Sequence, residues 1–318
     1  MSERYPMYPY PIGWFQVAYG DELEVRQAKP LKYFGTDLVL YRGEDGAARV
    51  RGAFCPHLGA HFGYGGEVEG TDIRCPFHGW RFSGEDGKCN DIPYGKRIPA
   101  AARTVCWPTI ERNGLIMVWH HPDKTAPSWD IPVVAEYGDT DWTPYERRFW
   151  RIKAHNQELA ENQVDLAHFR YVHGALTIPE SSAEADGPCM RVSSVMKMGT
   201  PMGPVDGTIQ SEAWGFGFGT VRFGGIVDTV LITSVTPIDG EHVDARFAFS
   251  VKKLGDAAST RGVGKALIQD IDKQMDEDIP IWENKRFLDR PALCDGDGPI
   301  GLFRKWCTQF YPAENPSS

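Results

Sequence analysis

Residues 55–61 read Cys55-Pro56-His57-Leu58-Gly59-Ala60-His61, and residues 75–82 read Cys75-Pro76-Phe77-His78-Gly79-Trp80-Arg81-Phe82, with seventeen positions between His57 and Cys75. Thiolates are soft donors that suit iron–sulfur clusters and zinc, and imidazole suits either metal. Two donor pairs on two loops can close a tetrahedral zinc site, so zinc is the rival reading. The tight Cys-x-His pair is unlike zinc-finger spacing. Each loop carries Pro directly after Cys and Gly soon after His (Gly59, Gly79), which suits hairpin-like turns whose amides approach bridging sulfides. His61 has no place in this pattern and reads as a surface or satisfied core histidine.

Two Cys on one iron and two His on the other is the Rieske arrangement of a 2Fe–2S cluster, in which imidazole raises the reduction potential. The stretch resembles the Rieske motif at every ligand and in its gap length. Cys55, His57, Cys75 and His78 are the expected cluster ligands.

Around this stretch, residues 12–120 are β-rich, with short runs such as Leu38–Tyr41 and Leu115–Trp119 between Gly, Asp, Asn and Pro clusters. The Pro-rich run HHPDKTAPSWDIP marks a boundary, giving domains 1–125 and 126–318. In the second, the pattern predicts a helix over Gln157–Val172 with Asn156 as N-cap and Gly174 just past its end. Strand-like alternation follows, as in Val227–Val235 and Arg246–Val251, then a helix from about Gly262 to beyond Ile279. The expected class is α+β, an all-β N-terminal domain followed by an antiparallel sheet with helices.

The chain has 318 residues, 34 basic and 43 acidic, for a net charge of −9. That balance argues against a nucleic-acid footprint. No apolar run approaches the roughly 18 residues of a membrane helix. The opening MSERYPMYPYPIG lacks the apolar stretch of a signal peptide, so a soluble cytoplasmic protein is expected. Seven scattered cysteines do not form a disulfide framework; the five outside the motif read as small hydrophobes.

A second constellation lies in Glu161-Asn162-Gln163-Val164-Asp165-Leu166-Ala167-His168-Phe169-Arg170-Tyr171-Val172-His173. Asp165 and His168 share a helix face. His168 and His173 are five apart, about 140° round an ideal helix, so they share a metal only if the helix distorts or ends near Val172. Two histidines on one amphipathic helix are more often structural. Downstream of a Rieske motif, the run resembles the iron-binding helix of Rieske oxygenases, which supplies both histidines of a two-His-one-carboxylate triad. For the carboxylate, the second helix offers Asp270, Asp272, Asp276, Glu277, Asp278 and Glu283. Ile268, Ile271, Met275, Ile279 and Trp282 form an apolar stripe, and Asp278 falls in its middle. A carboxylate on a buried face needs a partner such as a metal. Asp278 is therefore the expected ligand and Asp276 the alternative; Asp270 and Glu277 lie well off the stripe and read as solvated. Pro280 removes a backbone hydrogen bond to about Asp276.

The Rieske motif, ENQVDLAHFRYVH, DEDIPIWENKR, NDIPYGKRIP and DGDGPIGLFRKWCTQFYP together resemble the oxygenase components of ketosteroid 9α-hydroxylases and related steroid-active Rieske monooxygenases. The likeness covers most of the chain and is weakest over 175–255. It implies a Rieske domain and a helix-grip catalytic domain in a homotrimer. It further implies one 2Fe–2S cluster and one mononuclear Fe(II) per chain, held by His168, His173 and Asp278, with O2 as co-substrate. Electrons would come from NAD(P)H through a ferredoxin-type reductase. It assigns catalytic roles to Asn162 and Asp165. Asp165 on its spacing is an acceptor that fixes the His168 ring; the resemblance suggests a bridge to His57 or His78 of a neighbouring subunit. The expected reaction is hydroxylation of a hydrophobic polycyclic substrate, most simply a steroid. Desaturation, O-demethylation and aromatic-ring hydroxylation are alternatives, and a non-catalytic electron carrier is the reading from another class. Met190, Met196, Met198, Met202, Trp214, Phe216, Phe218 and Phe223 can line a flat apolar pocket, although ordinary core is the default for each.

Overall fold

The computed structural model describes residues 4–198, 205–225 and 227–312. The chain divides into two compact units: one is Trp14–Asp130, and the other joins the segment ending at Gly13 to the chain from Ile131 onward. The first unit is all β. Its sheets are formed by Gly13–Tyr19, Leu115–His120 and Thr109–Arg112; by Ala28–Tyr33, Thr36–Arg42, Ala48–Gly52 and Cys106–Trp107; and by Glu67–Glu69, Asp72–Arg74, Arg81–Phe82 and Cys89–Asp91. The Cys55 loop follows Ala48–Gly52, and the Cys75 loop joins Asp72–Arg74 to Arg81–Phe82. A buried cluster of Tyr41, Phe62, Ile73 and Phe82 packs beside Cys55 and Cys75. Removing these side chains from water is the main force holding the short strands together.

The second unit is a seven-stranded antiparallel sheet in the order Glu146–Ile152, Val243–Val251, Thr229–Pro237, Phe218–Gly224, Val205–Trp214, Cys189–Met198, Glu180–Asp186. Among the described residues four α-helices accompany it: α1 Asn156–Glu161, α2 Ala167–Tyr171, α3 Ala257–Asn284 and α4 Ile300–Cys307. The stripe read from the sequence is the face by which α3 packs on the sheet. Met275 and Trp282 join Ile152, Val243 and Ala245, while Ile268 and Ile271 join Leu231 and Phe249. Such burial contributes about 1.5–3 kcal/mol per large side chain. No helix among the described residues is long and apolar enough to cross a membrane.

Three boundaries differ from those expected. The single helix over Gln157–Val172 is two short helices, broken at Asn162–Leu166. Its first N-cap is His155, not Asn156: His155 Nδ1 accepts from Gln157 N, and Asn156 Nδ2 donates to Val235 O at 2.7 Å. Helix α3 begins at Ala257, ahead of Gly262, because Asp256 caps it by accepting from Ser259 N at 2.8 Å. It runs through Pro280 without ending.

Candidate metal centres

The two cysteine loops have the same backbone. Cys55 N donates to Ala60 O and Cys75 N to Trp80 O, both at 2.8 Å; Gly59 N donates to Cys55 O at 2.9 Å and Gly79 N to Cys75 O at 3.1 Å. Gly59 and Gly79 close these turns at φ of +76° and +73°, a left-handed conformation that glycine adopts without a Cβ penalty. Arg74 donates to Gly79 O at 2.5 Å and pairs with Glu69 and Asp91, bracing the second loop. Cys55 and Cys75 are buried, and burial holds the Cys55 thiol above its usual range. The His57 and His78 rings meet edge to face with centroids 4.7 Å apart. His57 stacks on Trp80 at 4.4 Å, and Trp80 Nε1 donates to Tyr94 Oη at 2.9 Å. His57 Nδ1 is buried with no hydrogen-bond partner. An orphaned buried nitrogen beside two buried thiols and a second imidazole is the donor set that a Rieske cluster takes. His61 stays outside it, accepting from Gly63 N at 2.9 Å.

The second centre depends on the helix break. Helix α2 ends at Tyr171, Val172 N donates to His168 O at 2.7 Å, and Gly174 turns the chain at φ +70°. This removes the angular conflict, and His168, His173 and Asp278 bring donor atoms within 4.8 Å of one another. At His168, Nδ1 bonds to the Asp165 main-chain carbonyl. That oxygen carries no proton, so Nδ1 does, and Nε2 presents a lone pair. At His173, Nδ1 bonds to Glu277 Oε2 at 2.9 Å while Nε2 lies 3.4 Å from Asp278 Oδ1. Asn162 Nδ2 donates to Asp278 Oδ2 at 2.9 Å and lies 3.4 Å from His168 Nε2. Burial holds His168 below the usual imidazole range. Burial also acts to lower His173, but its bonds to Asp278 and Glu277 outweigh this and raise it. Two imidazole nitrogens and a carboxylate within 4.8 Å of one another are a donor set that fits a divalent iron.

The structure separates the acids of α3. Asp278 is only 7% exposed; Asp276 faces solvent, Asp272 pairs with Arg148 at 2.8 Å, and Glu283 accepts from Lys153 N. Glu277, expected on a solvated face, instead holds the back of His173, a contact with no signature in the helical period. At Asp165 the main-chain oxygen, not the carboxylate, fixes the His168 ring; the carboxylate accepts His168 N–H at 3.4 Å and is 42% exposed.

His168, His173, Asp278 and Asn162 line a cavity of about 970 Å³ walled by Phe169, Phe218, Phe223, Leu231, Phe247 and Ile271. Phe216 also lines it, whereas Met190 is buried core. Met202 lies outside the described residues, and the Met196 and Met198 side chains are likewise not described. Gly215, at φ +61°, opens the turn that joins Val205–Trp214 to Phe218–Gly224.

Residues 13–104 match the Rieske [2Fe-2S] domain, and residues 118–311 match the 3-ketosteroid 9α-hydroxylase C-terminal domain. The chain belongs to this family of Rieske non-haem iron monooxygenases. The oxygenase is 32% identical to a 3-ketosteroid-9-alpha-monooxygenase oxygenase component of Rhodococcus rhodochrous, over 94% of this chain and 80% of that protein. It is 31% identical to a cholesterol 7-desaturase of Caenorhabditis elegans, over 96% of this chain and 78% of that protein. Among solved structures, apo dicamba monooxygenase shares the fold with a TM-score of 0.73 at 19% identity, covering 95% of this chain and 98% of that one.

Proposed function

We propose that the chain is the terminal oxygenase of a multicomponent system that hydroxylates a steroid or a similar fused-ring substrate. The observation that carries this reading is the His168–His173–Asp278 triad opening onto a large, mostly apolar cavity. In it, Cys55, His57, Cys75 and His78 hold the 2Fe–2S cluster, and His168, His173 and Asp278 hold the mononuclear iron. When bound, the cluster would supply single electrons and the iron would supply dioxygen activation. The residues do the positioning. Asn162 holds Asp278 by its outer oxygen, the Asp165 carbonyl and Glu277 set the two imidazole tautomers, and the aromatic walls orient the substrate and exclude water.

The exposed Asp165 carboxylate serves as the electron bridge to His57 or His78 of a neighbouring subunit in a cytoplasmic homotrimer, fed by an NAD(P)H-dependent reductase. Desaturation is the second reading, favoured by the near-equal identity to relatives named cholesterol 7-desaturase. Incubation of the reconstituted enzyme with a steroid panel and a surrogate reductase, with products identified by mass spectrometry, tests both. A product heavier by one oxygen supports hydroxylation, one lighter by two hydrogens supports desaturation, and no product from any steroid overturns the substrate class.

A further inference from the structure

At Gln163 the wall of the cavity presents an acceptor with no donor beside it. Gln163 follows Asn162 in the break between α1 and α2, and its side chain lines the cavity. Its Nε2 donates to Met190 O at 3.3 Å and to Ser211 Oγ at 3.0 Å. A main-chain carbonyl only accepts, so the amide nitrogen must face Met190, and this fixes which end of the amide is oxygen. Both N–H bonds are committed. Oε1 receives no bond from a described residue and is not sealed from solvent.

Ser211 is committed too: it accepts from Gln163 and donates to Val192 O at 3.4 Å. Of the other amides on the wall, Asn162 gives one N–H to Asp278 and Gln274 gives one to Asp270, each at 2.9 Å. No Lys or Arg is among the described lining residues. Thr233 stays open because Gly219 opposite it has no side chain, and a Cβ there would lie 2.8 Å from Thr233 Oγ1. A threonine hydroxyl donates or accepts equally and so does not discriminate.

We infer that Gln163 Oε1 accepts a hydrogen bond from a hydroxyl group of the substrate, so that the cavity beside Gln163 selects a hydroxylated fused-ring molecule over the ketone at the same carbon. The inference rests on the steroid-like substrate class proposed above. A hydroxyl donates to an amide oxygen, whereas a ketone sets two acceptors against each other and leaves both without a proton. Sites that bond a substrate hydroxyl discriminate against analogues lacking it, because a buried polar group is left unpaired.

The test uses the metal-loaded enzyme and four saturated ligands that share one ring skeleton. These are 5α-androstane-3β,17β-diol, 5α-androstane-3,17-dione and the two compounds with one hydroxyl and one ketone, each titrated by calorimetry. The expected result is that changing hydroxyl to ketone at one end weakens binding about 10-fold or more, while the other end matters less. In Gln163→Leu, with metal content and thermal unfolding checked, that preference disappears. If Gln163→Leu does not accumulate folded, Gln163→Asn, which withdraws the amide by one methylene, takes its place. Equal or tighter binding of the diketone overturns the inference and leaves the steroid reading standing, as does a hydroxyl preference that survives both substitutions. Binding of none of the four overturns the steroid reading and the inference together.

Discussion

Replacing Glu277 by alanine should weaken iron binding while leaving the Rieske cluster untouched. Glu277 Oε2 accepts from His173 Nδ1 at 2.9 Å, and the His173 side chain is only 5% exposed. Without the carboxylate, a buried N–H loses its acceptor, a loss worth about 1–3 kcal/mol, and the ring loses the contact that fixes its tautomer. Carboxylates behind metal-bound histidines are worth about 10–100-fold in metal affinity. Glu277 is itself 30% exposed and shares its charge with Lys273, 3.5 Å away, which places the expected effect near the lower end, about 10-fold, or about 1.4 kcal/mol. Glu277→Gln keeps an acceptor oxygen without the charge and should lose less. The assay is anaerobic competition for Fe(II) against a chromophoric chelator, with the Rieske absorbance as internal standard. Wild-type iron affinity in Glu277→Ala would refute the reasoning, as would an equal loss in Glu277→Gln and Glu277→Ala.

Asp278→Ala should keep the Rieske spectrum and retain about two irons per chain instead of about three, whereas Cys75→Ala should bleach the cluster; iron analysis with absorbance reads both. Asp165→Asn should keep both metals, because the main-chain carbonyl holding His168 is unchanged, yet slow single-turnover oxidation of the pre-reduced cluster; normal oxidation in an iron-replete variant removes Asp165 from the electron path. Arg4 donates to the carbonyls of Trp282 and Lys285 at the end of α3 and to that of Lys153, so Arg4→Ala should lower stability by about 1–2 kcal/mol, read as a lower Tm. An unchanged Tm would show that this cap is not holding the helix end.

The cluster loops were legible in the sequence because each donor pair is nearly contiguous, and the Pro and Gly between them specify the turn. Asp278 was legible for a different reason: an acid inside an apolar stripe announces itself through the cost of burying it. The break after α1 was not, since the residues from 157 to 172 keep a helix-compatible pattern throughout. At the break the chain meets a distant segment: Gly298 passes so close that a Cβ there would lie 2.0 Å from Val164 O. A period also gives each residue one face and names no partner arriving from elsewhere. Glu277 points away from the stripe, and its partner comes from a loop 104 positions upstream.

That pairing explains why two consecutive acids have opposite fates. Neighbours on a helix diverge by about 100°, so Asp278 and Glu277 cannot both face the sheet. His173 sits where the two directions are both useful, with Asp278 on its Nε2 side and Glu277 on its Nδ1 side. One turn of α3 therefore fixes both ends of a single imidazole. The other histidine is fixed by its own short segment, through the Asp165 carbonyl. His168 is thus set locally, while His173 is set by α3. A shift of α3 along its axis would disturb one carboxylate and one histidine of the triad together. The Arg4 contacts at the helix end and the packing of Met275 and Trp282 on the sheet oppose that shift, which makes the geometry of the triad a property of how this helix is seated.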